Sequence, residues 1–391
     1  MAGRLRIAAT GVQDQWLTGE PQFSYFLMRF KRHTKFSFDY IESQFDGKTD
    51  FGSLLTCRVP GDKGDLIKNF TLKVTLPDPS PTTNVWSKSI LTHMVDYAEL
   101  VIGGQVIEKI TGEYIYMYQQ LNSTNDDIEQ TLYFLNGHGN LLSYTGTYTY
   151  FMDIPFYFYR APALSIPTCA LTKQIVEVRI KLRPLSELIH FGAPENISAS
   201  IKKFSMDTEF VYLMDDEKGF LMSRPVDYVI TQLQIAKFKM KPGENKKSVM
   251  LKFAHPVKEL FFVSQSDDAV QNNFPNEYNT ITNAELRFNN EVVFNRENLF
   301  LTYEQSLKHH VNAPQAPSTT DPTNSKFGMY SFSLRPDVYY PTGQVNMSRI
   351  SHKLFTIDIA PSNPDVENDT RVYAVNYNVL RFENGLAGLK F

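Results

Sequence analysis

The side chains best suited to chemistry are dispersed through this 391-residue chain rather than clustered. Its eight histidines are His33, His93, His138, His190, His255, His309, His310 and His352. They form neither an HExxH motif nor an HxH pair, so a zincin or cupin-type metal site lacks its ligand spacing. No GxSxG nucleophile turn and no GxxxxGK[ST] phosphate loop occurs. Asp50–Gly52 spells DFG, without the glycine-rich and catalytic loops of a kinase. The stretch NGHGN (Asn136–Asn140) reads as a loop tip and GDKGD (Gly61–Asp65) as a turn. DVEND (Asp365–Asp369) alternates carboxylates but lacks the glycine and ligand spacing of a calcium loop, so it reads as a solvated acidic loop. The expectation is a protein that is not an enzyme and uses no cofactor or metal.

One charged stretch stands out, PQFSYFLMRFKRHTKFS, from Pro21 to Ser37. Every second residue from Phe26 gives Phe26, Met28, Phe30, Arg32, Thr34, Phe36 and Phe38. The other register gives Tyr25, Leu27, Arg29, Lys31, His33 and Lys35. Successive side chains of a strand point to opposite faces, so this alternation predicts a long strand with a cationic outer face. Basic patches with interleaved aromatics also suit nucleic acid. The formal net charge of the whole chain is −3, however, so the patch is local, and a solvated or subunit-facing strand is expected instead.

The elements that must position these residues are short strands. Segments such as SLLTCRV, IKNFTLKVTLP, QIVEVRIKL, DYVITQLQIAKFKM and RVYAVNYNVLRF are rich in β-branched and aromatic residues and are bounded by Pro, Gly, Asn and Asp. With 29 Phe and 21 Tyr, the chain reads as an all-β sandwich or barrel. Three helical candidates interrupt it: TGEYIYMYQQLN from Thr111, NRENLFLTYEQSL from Asn295, and DDEKGFLMSR (Asp215–Arg224) as a link. Cys57 and Cys169 form no CxxC and predict no disulfide framework, which fits a reducing compartment. No secretory leader and no apolar run of the roughly 20 residues of a membrane helix is evident, so a soluble protein made in a cytosol is expected.

Internal repetition is the stronger signal. AELVIGGQVI at Ala98 reappears as AELRFNNEVV at Ala284. The central pairs Gly103-Gly104 and Asn289-Asn290 both suit hairpin turns that need positive φ at two positions. Phe158, Pro162 and Pro167 share their spacing with Phe332, Pro336 and Pro341, at a slightly shorter offset along the chain. Two ordered matches predict two copies of one β domain, with a boundary near Met214–Pro225.

Several strings together resemble the major capsid proteins of nucleocytoplasmic large DNA viruses. They are WLTGEPQFSYFLMRFKRHTKFS (Trp16–Ser37), GDLI (Gly64–Ile67), HPVKELFFVSQ (His255–Gln265), YSFSLRPDVYYPTGQVNMSRI (Tyr330–Ile350) and YAVNYNVLRFENGLAGLKF (Tyr373–Phe391). The resemblance spans the chain in order. It implies two tandem eight-stranded antiparallel jelly rolls: an N-terminal arm at 1–22, jelly roll 1 at 23–213, a linker at 214–225 and jelly roll 2 at 226–391. It also implies a virion protein, assembled in the host cytoplasm, that forms homotrimeric, pseudo-hexagonal capsomers tiling an icosahedral shell. Minor capsid and penton proteins and an internal membrane are the implied further partners, with no sequence-specific nucleic acid. In related capsids the N-terminal segment lies at the capsomer base, which makes Arg29, Lys31 and Lys35 the expected inner-face or partner contacts. Family members are often longer, so outer loops here should be modest. The competing readings are a minor capsid component, a carbohydrate-binding jelly roll and a cupin-like metal enzyme.

Overall fold

The computed structural model describes residues 2–77, 85–124, 131–137, 147–159, 161–190, 199–267, 277–314, 327–361 and 363–391. His138 and the end of the NGHGN stretch lie outside the described residues. The chain divides into two compact units, Met1–Lys35 and Phe36–Phe391.

The first unit holds two short helices, Ala2–Ala8 and Val12–Thr18, neither of which buries a residue. It contains no strand among its described residues, which corrects the strand expected through Tyr25–Lys35. Alternation prepares a segment for a sheet, but a strand exists only where a neighbour completes its backbone hydrogen bonds. Pairing begins at Phe36, opposite Leu213.

Among its described residues the larger unit forms four main antiparallel sheets. Its first half supplies β1 (Phe36–Gln44), β2 (Leu54–Val59), β3 (Leu66–Leu76), β4 (Val85–Trp86), β5 (Val95–Ile102), β6 (Gln105–Thr111), β7 (Tyr148–Asp153), β8 (Val176–Leu182), β9 (Ile189–His190) and β10 (Lys203–Leu213). One sheet runs β1-β10-β3-β7 and the other β2-β8-β5-β6, with β4 and β9 forming a small separate pair. The second half supplies β11 (Val226–Met240), β12 (Lys246–Met250), β13 (Pro256–Ser266), β14 (Ile281–Phe288), β15 (Glu291–Glu297), β16 (Gly328–Ser331), β17 (Val345–Asn346), β18 (Lys353–Ile359), β19 (Asn368–Glu383) and β20 (Leu386–Leu389). Its sheets run β11-β19-β13-β16 and β12-β18-β14-β15, while β17 joins β13 and β20 joins β19. Leaving out the four short extra strands, each half is an eight-stranded jelly roll, and the two strand orders coincide position by position. The helix Asp215–Ser223 stands between them.

The duplication extends to irregularities. In the β5–β6 pairing Ile107 is skipped, and in β14–β15 Val293 is skipped, at the same offset that separates Ala98 from Ala284. Asp96 is skipped between β5 and β8, and Thr282 between β14 and β18, again at that offset. Lys68 bulges from β3 opposite β10, and Lys258 bulges from β13 opposite β19. A bulge sets local twist and fixes register, so matching bulges mark matching strand curvature in both rolls. The hairpin turns also agree with the sequence: Gly103 and Gly104 have φ of 59° and 85°, and Asn289 and Asn290 have φ of 48° and 74°. Helical turns follow each hairpin, Gly112–Asn122 in the first roll, and Phe300–Glu304 with Gln305–His309 in the second. The second sequence match falls just after β7 and β16, where Phe158 is buried and Phe332 half-buried.

Most strands bury one face. In β8 and β18, buried and partly buried residues alternate strictly. Strands β13 and β19 bury both faces instead. Leu260, Phe262, Val372 and Ala374 point into the core of the second roll. Their neighbours Phe261, Val263, Tyr373 and Val375 join the core cluster of the first roll. The sheet is thus a wall shared by two cores.

Candidate assembly surfaces

The seam between the rolls is built around one helix start. Thr111 caps Gly112–Asn122 by accepting from the Tyr114 N–H at 3.2 Å. Gly112 is required here, because a Cβ would stand 1.9 Å from the Thr92 carbonyl oxygen and 2.1 Å from that of Val95. This tight start aims Glu113 at the second roll. Arg371 of β19 donates to both Glu113 carboxylate oxygens at 2.7 Å and to Gln265 and Asp369 at 2.9 Å. The Tyr373 hydroxyl donates to Glu113 as well. Burial pushes the Glu113 carboxyl up, but the Arg371 charge and the hydrogen bonds from Arg371 and Tyr373 outweigh it and hold Glu113 below the usual carboxylate range. Bidentate, charge-assisted pairing fixes geometry as well as energy. Around it, Tyr114 meets Phe261 edge-on with ring centroids 6.2 Å apart, and Gln232 of β11 donates to the Ile107 carbonyl at 2.5 Å. Neither Glu113 nor Arg371 was singled out in the sequence. They lie far apart along the chain, and no local pattern joins them.

A second buried ionic group lies in the second roll. Lys258 is wholly buried and donates to the Pro336 carbonyl at 2.5 Å. Glu259 lies beside it, with the two charged groups 3.5 Å apart, and also meets His310 Nε2 at 3.0 Å.

The three basic residues singled out in the sequence lie in the first unit. Arg29, Lys31 and Lys35 are exposed, and none takes part in a salt bridge among the described residues. Arg29 donates to the Gln22 carbonyl at 3.0 Å. The same unit exposes large apolar side chains, among them Trp16, Phe26, Met28 and Phe30.

Chemistry-bearing residues elsewhere are structurally engaged. A cleft of about 330 Å³ is lined by Thr71, Tyr118, Asp153 and Tyr159 among others, and both Thr71 and Tyr159 donate to Asp153. Cys57 and Cys169 are free thiols; burial, with Asp46 adding to it, pushes Cys57 up to about 12 and leaves it unreactive. No group of three or more His, Cys, Asp or Glu among the described residues could hold a metal, and no described helix is long and apolar enough to cross a membrane.

Comparison with known proteins follows the same division of the chain. Residues 24–213 match the family model described as major capsid protein N-terminus, and residues 217–388 match that of the large eukaryotic DNA virus major capsid protein. The major capsid protein of Pyramimonas orientalis virus is 30% identical over 415 aligned positions, covering 100% of this chain and 99% of that one. The major capsid protein of Paramecium bursaria Chlorella virus 1 is 25% identical, with 100% of each chain covered. Among solved structures, the quasi-atomic model of the PBCV-1 capsid aligns with a TM-score of 0.79 at 20% identity, over 94% of this chain and 100% of that one. The Faustovirus major capsid protein aligns with a TM-score of 0.74 at 9% identity, over 96% and 94%. At these identities the structural likeness speaks for the double jelly-roll fold.

Proposed function

The chain belongs to the family of large eukaryotic DNA virus major capsid proteins, and on that premise we propose that three copies form one pseudo-hexagonal capsomer, the tile of an icosahedral shell. The observation that carries this reading is the duplication: one chain holds two rolls of the same strand order, joined through a shared wall. Three such chains give six similar lobes, an outline that tiles a flat lattice. A ring of this kind closes through heterologous contacts, in which one patch meets a different patch on its neighbour. The work of the protein is assembly, and no catalytic step is assigned to it.

Along the chain, the proposed division is an arm at 1–22, jelly roll 1 at 23–213 with its first paired strand beginning at Phe36, a linker at 214–225 and jelly roll 2 at 226–391. The N-terminal segment through Lys35 faces the interior of the virion. Arg29, Lys31 and Lys35 contact acidic surfaces there, whether minor capsid proteins or lipid head groups of an internal membrane, and the shell is assembled in the host cytoplasm. The three cations are exposed and unneutralised by any salt bridge among the described residues, which supports this role.

Light scattering after size exclusion tests the capsomer. Three chains of 44.9 kDa give about 135 kDa. A stable monomer at high concentration would defeat the reading. Charge reversal of Arg29, Lys31 and Lys35 together should abolish binding to anionic vesicles or to minor capsid proteins while leaving the trimer intact. Unchanged binding to both would remove the basic residues from this role.

A further inference from the structure

The cleft beside Asp153 is built by the first roll. Strands β3 and β7 contribute Thr71 and, opposite it in the ladder, Asp153. The end of the helix Gly112–Asn122 and the helical turn Tyr133–Asn136 supply the rest of its lining. At about 330 Å³ it stands at the small end of the range for ligand pockets. The matching place in the second roll is apolar. Counting from the shared bulge at Lys68 and Lys258, Thr71 corresponds to Phe261, and its partner Asp153 to Met329, both of them buried. The strand order is common to both rolls, so it does not by itself require a polar cleft.

Two groups in the cleft are short of partners. Asn136, the first residue of the NGHGN stretch, is 1% exposed, yet its Oδ1 accepts no hydrogen bond. Its amide nitrogen donates to Gln119 at 3.2 Å, and the adjacent Gly137 carbonyl accepts from the Ser89 N–H at 2.9 Å, so the side chain is held in place. A buried acceptor left unpaired costs free energy, and a ligand that donates to it removes that cost. Asp153 is half-buried and makes no salt bridge among the described residues. It receives neutral donors instead, the Thr71 hydroxyl at 2.5 Å and the Tyr159 hydroxyl at 3.3 Å. Burial first, and then the Asp153 charge, push the Tyr159 phenol up and keep it protonated. The rings of Tyr118 and Tyr159 meet edge-on, with centroids 6.2 Å apart and planes at 73°, and Phe151 lies on the same cleft.

We propose that this cleft binds an aliphatic primary ammonium, such as one end of a short diamine, with its N–H groups directed to Asp153 and to Oδ1 of Asn136 and its alkyl chain against the tyrosine rings. The chemistry selects the ligand. A carboxylate without a counter-charge and a buried acceptor without a donor both ask for a cation that carries N–H groups, and hydrogen bonds of that kind are the strong ones. Aromatic faces attract the same cation through their ring quadrupoles. A neutral sugar or diol can donate to both oxygens but leaves the Asp153 charge uncompensated. The site lies within one chain, so it goes beyond the capsomer reading and does not rest on it.

Isothermal titration calorimetry of the full-length chain at neutral pH tests the site, with putrescine as the probe and butanediol and glucose as uncharged controls. Saturable heat is expected with putrescine and none with either control. Asp153→Asn keeps an acceptor for Thr71 and removes the charge, and should weaken putrescine binding about ten-fold or more. Tyr159→Leu, at a partly exposed position, should weaken it about two- to five-fold. Elution and circular dichroism matching the wild type show that a variant is folded, and if Asp153→Asn fails that check, Tyr159→Leu carries the comparison. Absence of saturable heat with putrescine would overturn the proposal. So would equal binding of butanediol or glucose, or folded variants that bind putrescine as tightly as the wild type. None of these outcomes depends on whether the chain forms trimers.

Discussion

Lys68 and Lys258 occupy the same bulge in the two rolls and meet opposite environments. Lys68 is partly exposed, pairs with Glu209 at 2.7 Å and lies 4.9 Å over the Phe38 ring. Lys258 is wholly buried beside Glu259 and the Pro336 carbonyl. The backbone device is shared, so the difference comes from what covers it. The outer face of the second roll is closed over by the first roll and its own loops, whereas on that face of the first roll Phe36, Phe38 and Tyr40 of β1 are exposed. Duplication preserved the course of the chain and left the surroundings of each bulge free to diverge.

The comparison breaks most visibly at these lysines. Lys258→Ala leaves Glu259 without its cation and a buried carbonyl without its donor, and should cost about 3–5 kcal/mol. Lys68→Ala should cost about 1 kcal/mol or less, since partly exposed pairs contribute little. Urea unfolding midpoints of the two full-length variants measure the contrast, and equal losses would deny it.

Next is the seam. Glu113→Gln should cost about 3 kcal/mol by leaving the Arg371 charge poorly compensated. Adding Arg371→Met should recover part of that loss, as pairs in direct contact are not additive. The pH dependence has a definite sign. The folded-state value of Glu113 lies below its ordinary 4.5, so its contribution is full above that value. It is lost as pH falls through the lower folded-state value. Unfolding followed against pH should show wild type and Glu113→Gln diverging at neutral pH and converging in acid.

A smaller effect sharpens the match between the rolls. Gly112 and Asn298 are equivalent, and so are the carbonyls of Val95 and Ile281. In the first roll the glycine backbone crowds the carbonyl; in the second the Asn298 side-chain amide donates to it at 2.7 Å. Asn298→Ala should cost about 1–3 kcal/mol through a buried carbonyl left unpaired. Thermal unfolding of the full chain reads it, with a silent substitution counting against the equivalence. Smallest is the hairpin turn. Asn290→Gly should be close to neutral at φ 74°, and Asn290→Val should cost about 1–2 kcal/mol, both read by the same thermal unfolding.

What the sequence disclosed followed from how local each signal is. The paired turns Gly103-Gly104 and Asn289-Asn290 were readable because positive φ restricts residue choice at the position itself. The alternating strands were readable for the same reason, and their ordered repetition exposed the duplication. The stretch Tyr25–Lys35 misled because alternation is written in the segment while its pairing partner is not. Glu113 and Arg371 were invisible because an ion pair formed across the fold leaves no trace in either neighbourhood. Both faces of β13 and β19 carry apolar residues, which reads only as a hydrophobic strand until the second core is seen behind it.

The shared wall has a consequence for synthesis. The first roll leaves the ribosome ahead of the second and can collapse around its own two sheets. The second roll then emerges with one sheet apolar on both sides, and the finished first roll is already present to receive the outer side. A chain with the rolls in reversed order would expose Phe261, Val263, Tyr373 and Val375 throughout the synthesis of its partner. The order of the two domains along the gene thus serves as a chaperone for the second.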